Sequence, residues 1–229
     1  MTDTASIRQA WKPVLGLVVL APLLAEVISS ATPVTLFFTP GVFLPYVLLL
    51  YGGPVLVLRE LAVRLRLGPL ALWCLGIGYG LYNEALHSET LFAPGALDVA
   101  EYADYGVLAH LRVPWTLYIL AWHGLFSVVA PVLFVEQVAA RTADRPWLPR
   151  WATALVAAGC AGTAGWYFLF DSEESRQLPT GQLVARFAAV LGAFVLVAVA
   201  ARACRSRPRW APVDAPAGGH WRRVVLGLA

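Results

Sequence analysis

The chain has 229 residues, of which 59% are hydrophobic and 14% charged, and its formal net charge is +3. A soluble domain carries about 25% charged residues, so this composition excludes a water-solvated globule and makes lipid the main solvent. The modest positive charge is arginine placed beside apolar runs, which suits anionic lipid headgroups and calls for no nucleic acid.

A helix needs about 20 apolar residues to cross the hydrocarbon core. Six runs meet that need: 13–31, 41–63, 67–86, 113–139, 151–170 and 183–203. They are continuous rather than alternating, which excludes a barrel. The predicted fold is therefore an all-α membrane protein, a bundle of six transmembrane helices over residues 1–203, with a basic cytoplasmic tail at 204–229. Nine Trp and eight Tyr suit the two membrane–water interfaces. Cys74, Cys160 and Cys204 lack metal-binding spacing and read as small buried hydrophobes.

The first run follows Arg8 and Lys12, as a secretory signal would, but its length, its Glu26 and the lack of an A-x-A site favour retention over cleavage after Ala31. Glu26 is an ionisable group inside hydrocarbon, where a carboxylate costs roughly 2.5–3.5 kcal/mol. Pro22 one turn earlier frees a backbone carbonyl, and Ser29 and Ser30 one turn later extend a polar stripe. The second run carries Tyr51-Gly52-Gly53-Pro54 at mid-span, which predicts a kink or break. Arg59 and Glu60 near its inner end, with Glu136 near the inner end of the fourth run, read as structural polar residues; Glu60 and Arg64 are spaced to pair.

The third run places Gly76, Gly80 and Glu84 on one face. Small residues permit close helix approach, so a neighbouring helix is expected to meet Glu84. Asn83 precedes it, and His87 at i+3 is spaced to share a proton or a metal with it. A loop of about 25 residues follows, with Pro94, Gly95, Tyr102 and Tyr105; its length predicts a lid or re-entrant segment. In the fourth run His123 lies near the membrane centre with Ser127 at i+4, and Trp115 and Trp122 share a neighbouring face. The fifth run has a small-residue face, Ala157, Ala161 and Gly165, with Gly159 and Gly162 nearby, which offers a surface for homo- or hetero-oligomer contact. The sixth must lift Arg186 toward an interface. Residues 220–229, joined through the Pro/Ala/Gly linker 213–219, resemble the start of a partial seventh helix too short to cross, which implies either a segment lying on the cytoplasmic surface or a chain cut short.

Basic residues before run one, between runs two and three, between four and five, and after six share one side, opposite acidic loops around Glu89, Asp98, Glu101, Asp104, Asp171, Glu173 and Glu174. The positive-inside rule puts both termini in the cytoplasm. Arginine for all basic residues but Lys12, with abundant Ala, Val, Leu and Gly, points to a high-GC bacterium and its plasma membrane.

Depth links Glu26, Glu84 and His123, which fall between the membrane centre and its outer third. They are expected to line one outward-facing polar cavity, with His87 and Ser127 as further proton-relay candidates. A small transporter or ligand-binding membrane protein for a small molecule or ion is the function this implies. An accessory subunit of a larger complex is the alternative that would tolerate loss of these groups. No cofactor is assigned.

The stretch Tyr79-Gly80-Leu81-Tyr82-Asn83-Glu84-Ala85-Leu86, followed by Ala121-Trp122-His123, resembles an uncharacterised group of bacterial multi-pass membrane proteins. It also resembles the CPBP intramembrane proteases, the family of the CAAX-processing endopeptidases. That resemblance implies a metal-dependent hydrolase with Glu84 activating water and Glu84, His87 and His123 as metal ligands. The family's Glu-Glu-x-x-x-Arg motif here has one glutamate and no arginine, and Ser127 stands where its His-x-x-x-Asn motif has asparagine.

Overall fold

The computed structural model describes residues 3–91, 105–108, 111–171, 177 and 179–203. The loop positions Pro94, Gly95 and Tyr102, the acidic residues Asp98, Glu101, Asp104, Glu173 and Glu174, and the tail 204–229 lie outside them.

The described helices form six rods, several of which change winding partway. The first is α1 (Asp3–Pro22), which continues as a π-helical segment, π1 (Leu23–Ile28). Pro22 has no N–H to give to the carbonyl four residues back. That carbonyl belongs to Val18, and Gly52 of the second rod packs against it: a Cβ on Gly52 would lie 2.4 Å from the Val18 oxygen. The second rod follows a short turn, α2 (Val34–Phe37), and runs as α3 (Pro40–Pro45), π2 (Tyr46–Leu50) and α4 (Gly52–Arg64). The break expected from Tyr51-Gly52-Gly53-Pro54 falls at Tyr51, whose φ and ψ are −117° and −62°.

The third rod is α5 (Pro69–Leu86). A two-stranded antiparallel pair, β1 (Val107–Leu108) and β2 (Leu111–Arg112), leads into the fourth rod, with Val107 opposite Arg112. That rod is α6 (Val113–Trp122), π3 (His123–Val129) and α7 (Ala130–Val138). The fifth is α8 (Arg150–Trp166) with π4 (Tyr167–Asp171), and the sixth is α9 (Thr180–Ala203).

Among the described residues, four stretches are long and apolar enough to cross a membrane: Ala10–Ile28, Pro40–Arg64, Val113–Val138 and Arg150–Phe170. In α5, Asn83, Glu84 and two tyrosines, Tyr79 and Tyr82, interrupt the apolar run. This rod is the axis of the bundle, touching α4, α6, π3 and α9. Leu72, Leu75, Tyr79, Asn83, Glu84 and Leu86 are all buried, while Trp73, Ile77 and Leu81, spaced i, i+4, are half-buried. The outer faces of the other rods carry exposed Leu15, Leu44, Leu117, Phe134, Leu155 and Val199, while charged groups lie inside. Apolar outside and polar within is the distribution expected when lipid is the solvent.

The close approach expected of Gly76 and Gly80 is with the fourth rod. A Cβ on Gly76 would fall 2.7 Å from the Gly124 Cα, and one on Gly80 would fall 3.1 Å from the His123 Cβ. Gly124 is pressed in turn, its added Cβ meeting the Trp73 indole at 2.7 Å. On the fifth rod, Gly159, Gly162 and Gly165 have open space where a Cβ would go. Within this chain that face does not make backbone-close packing.

At the end of the bundle that carries the α4–α5 turn, a polar knot fastens the 139–149 loop. Arg59 is fully buried. Its Nε donates to Glu136 at 3.0 Å and one terminal nitrogen to Glu60 at 2.9 Å and to the Arg145 carbonyl at 2.8 Å. The other terminal nitrogen donates to the carbonyls of Ala143 at 2.8 Å and Thr142 at 3.4 Å. All five guanidinium donors are thereby used, and the Trp147 ring lies 3.6 Å from the guanidinium carbon. Glu60 also accepts from the Trp147 backbone N–H at 2.7 Å and from Arg64 at 3.2 Å, the i, i+4 pair the spacing anticipates. A charge so fully satisfied binds helices to loop and leaves no donor for a ligand.

Candidate functional site: a buried Glu–Tyr–Asn–His–Glu chain

Glu26 sits in π1 and is 8% exposed. Its two oxygens accept from the Tyr51 hydroxyl and the Thr32 hydroxyl, each at 2.5 Å. An ionised carboxylate can only accept, and both bonds here satisfy that form. Tyr51, at the break of the second rod, accepts in turn from the Asn83 amide at 3.2 Å. The same amide nitrogen is 3.4 Å from His123 Nε2. His123 Nε2 lies 2.7 Å from Glu84 Oε1, and its Nδ1 lies 2.9 Å from the Ser127 hydroxyl. The other Glu84 oxygen accepts from the Thr90 hydroxyl, which also receives the Trp115 indole N–H at 2.8 Å. Thr90's carbonyl holds Arg112 at 2.9 Å.

Four of the six rods contribute to this chain. Local winding aims its members: Glu26 and His123 lie in π-helical segments, and Tyr51 directly follows one. A π-turn is uncommon and recurs at functional sites because it re-aims a side chain that an α-turn would point elsewhere. His123 is further held by rings, stacked on Tyr51 with centroids 6.1 Å apart and edge-on to Tyr79 at 5.5 Å.

The Glu84–His123 contact supports two proton placements. Either Nε2–H donates to the Glu84 carboxylate and Nδ1 accepts from Ser127, or a protonated Glu84 donates to Nε2 and Nδ1–H donates to Ser127. Each satisfies both ring nitrogens and leaves the Asn83 amide beside Nε2 without an acceptor there, and they differ by the position of the imidazole and carboxyl protons.

His87 is elsewhere. It caps α5, and its ring turns to Tyr82, whose hydroxyl is 3.2 Å from Nε2, and to Tyr167, stacked at 5.8 Å. No hydrogen bond joins it to Glu84 among the described residues, which corrects the expected i, i+3 pair. Past Leu86 the backbone departs from helical geometry, with φ −116° and ψ −55° at His87, so the spacing rule fails at that step. The metal set implied by the CPBP resemblance, Glu84, His87 and His123, therefore does not assemble; among the described residues no three His, Cys, Asp or Glu side chains group as ligands.

A cavity of about 380 Å³ opens beside the chain, lined by Glu26, Tyr46, Tyr51, Asn83, His87, Ser88, Thr163, Trp166 and Tyr167 with Pro45, Leu49 and Leu50. Glu84 and His123 are not on its wall; they stand one residue behind it, reached through Asn83. A second cavity of about 340 Å³ is apolar, bounded by Leu58, Tyr79, Tyr82, Ala161, Phe187 and Phe194 among others.

Sequence reading passed over Thr32, Thr90 and Arg112 and gave Tyr51 and Asn83 no role in the site. Arg112 could have been noticed: it is a basic residue on the acidic side of the membrane pattern, and it is 3% exposed, tied to Thr90.

A bundle of apolar-faced helices around a buried ionisable chain defines an all-α integral membrane protein. The chain belongs to an uncharacterized membrane protein family, whose model matches residues 15–225. No curated protein matches it, and no solved structure does.

Proposed function

We propose that this protein is a six-span protein of the bacterial plasma membrane, both termini cytoplasmic, that binds or transports a small solute through the cavity beside Glu26 with proton exchange along the buried chain. The observation that carries the reading is the buried cluster in which Tyr51 and Asn83 lie between the Glu26 carboxylate and the Glu84–His123 pair. Intramembrane ionisable groups are expensive and mark proton or substrate paths. Here one end of the run faces a cavity and the other is sealed by Thr90 and Trp115. Glu26 then answers to the solute, and the Glu84–His123 pair stores or releases a proton. Residues 1–203 form the transport unit and 204–229 a basic tail on the cytoplasmic face. The small-residue face of the fifth rod, open in the monomer, is the surface for a second copy or a partner subunit.

The test is uptake of a panel of labelled small solutes into proteoliposomes under an imposed pH gradient. Gradient-driven accumulation lost in Glu84→Gln is the expected result. Uptake whose pH dependence is unchanged by that substitution would count against the proposal.

A further inference from the structure

The cavity beside Glu26 has a chemistry of its own. Its walls come from the first, second, third and fifth rods, and they combine one buried carboxylate with aromatic rings. Tyr46 and Tyr51 stack at 5.8 Å on the second rod, while Trp166 and Tyr167 come from the fifth. The Trp166 ring is 60% exposed and Ser88 is exposed, whereas Glu26, Tyr51 and Asn83 are buried, so the cavity runs from an open rim to a charged floor. Among the described residues, none of those lining it is arginine or lysine. Burial pushes the His87 imidazole, just past the end of α5, down to about 4, so it adds no positive charge at ordinary pH.

We infer that this cavity binds a small organic cation, an alkylammonium group seated over the rings of Tyr46, Trp166 and Tyr167 within the field of Glu26. This deepens the solute-binding reading above and rests on it. Aromatic faces attract cations through the ring quadrupole, most strongly when both are withdrawn from water. The Glu26 charge, with no basic residue on the wall among the described residues, acts through a low-dielectric surrounding and favours a positive guest. Both its oxygens already accept from hydroxyls at 2.5 Å, so it contributes field rather than direct coordination. A hard metal ion asks for six or more oxygen ligands, which rings do not supply. A volume of about 380 Å³ suits a small ligand.

The full chain in lipid nanodiscs is titrated by calorimetry with tetramethylammonium, with its neutral analogue tert-butanol, and with pivalate, an anion of similar size. Tetramethylammonium is expected to bind saturably, at least ~tenfold tighter than the other two. Glu26→Gln should weaken it about tenfold. Tyr46→Leu should weaken it about fivefold, while Tyr46→Phe, which keeps the ring face, should stay within about twofold. The tyrosine pair carries the test even if the Glu26 variant does not fold. Equal or tighter binding of tert-butanol or pivalate overturns the cation assignment while leaving a solute site in place, as does equal affinity in Tyr46→Leu and Tyr46→Phe. Absence of heat with all three, together with pH-driven uptake of some other solute, removes the cation and keeps the transporter; absence of both removes each.

Discussion

His123 Nε2 lies 2.7 Å from Glu84 Oε1, and the two side chains reach each other because Gly80 brings α5 to within contact of the His123 Cβ. The acid–imidazole pair thus depends on a missing side chain one turn before the acid. Gly76→Ala would put a methyl 2.7 Å from the Gly124 Cα, where only backbone can yield. Overpacking of this kind costs about 1–3 kcal/mol. Thermal unfolding in detergent should fall accordingly, and the His123 nitrogen resonances should move as the helices part. A Gly76→Ala protein of native stability with unmoved His123 signals would contradict the packing role.

Tyr51→Phe keeps the ring that stacks on His123 but removes the hydroxyl between Glu26 and Asn83. Leaving buried partners unsatisfied costs about 1–3 kcal/mol. The expected result is a folded protein in which uptake loses its pH dependence more than its solute affinity. Uptake assays at several pH values, with the binding titration run in parallel, separate the two.

Much of the fold was legible in the sequence, because lipid imposes a simple rule: long apolar runs become helices. The Gly76/Gly80/Glu84 face also read correctly, since small residues at i, i+4 have a direct geometric meaning. The rest of the site was harder to see. Glu26 and His123 reach their partners from π-turns, and no residue pattern marks a π-turn as hydrophobic period marks an α-helix. Pro22 was the nearest signal, a lost N–H just before π1. Thr32 and Thr90 are each six residues beyond their glutamate, around a turn that helical spacing cannot describe. Of the Arg59 knot, the group Arg59, Glu60 and Glu136 and the i, i+4 pair of Glu60 with Arg64 were legible, but the carbonyls of the 142–147 loop, distant in sequence, were not.

Glu136→Gln removes one charge from the Arg59 knot while preserving its shape. Breaking a buried pair costs about 3–5 kcal/mol, so the variant should unfold at markedly lower temperature. Protease cutting in the 139–149 loop should rise with it. Arg59→Lys should behave alike, since an ammonium cannot fill five directed acceptors. A loop equally resistant in both variants would show that the knot does not fasten it.

His87 gives a pH signature. Its folded-state value near 4 lies below the ordinary histidine value of 6.5, because burial disfavours the charged ring. Below 6.5 an unfolded chain takes up a proton that the folded chain refuses. This contribution is therefore fully in place above pH 6.5 and is lost as pH falls toward 4. His87→Phe, which keeps a ring against Tyr167, should flatten that acid limb in thermal unfolding scans from pH 7 to about pH 4.

The most direct measurement is the titration of the His123 imidazole nitrogens by NMR in lipid bilayers, in the native chain and in Glu26→Gln and Tyr51→Phe. If the two carboxylates belong to one proton system, removing the Glu26 charge shifts the His123 titration, although Glu26 does not touch the ring, and Tyr51→Phe shifts it as well. A His123 titration that responds to Glu84→Gln but is indifferent to both of those changes would mean that Glu26 and the Glu84–His123 pair act separately, and the proposed relay would not exist.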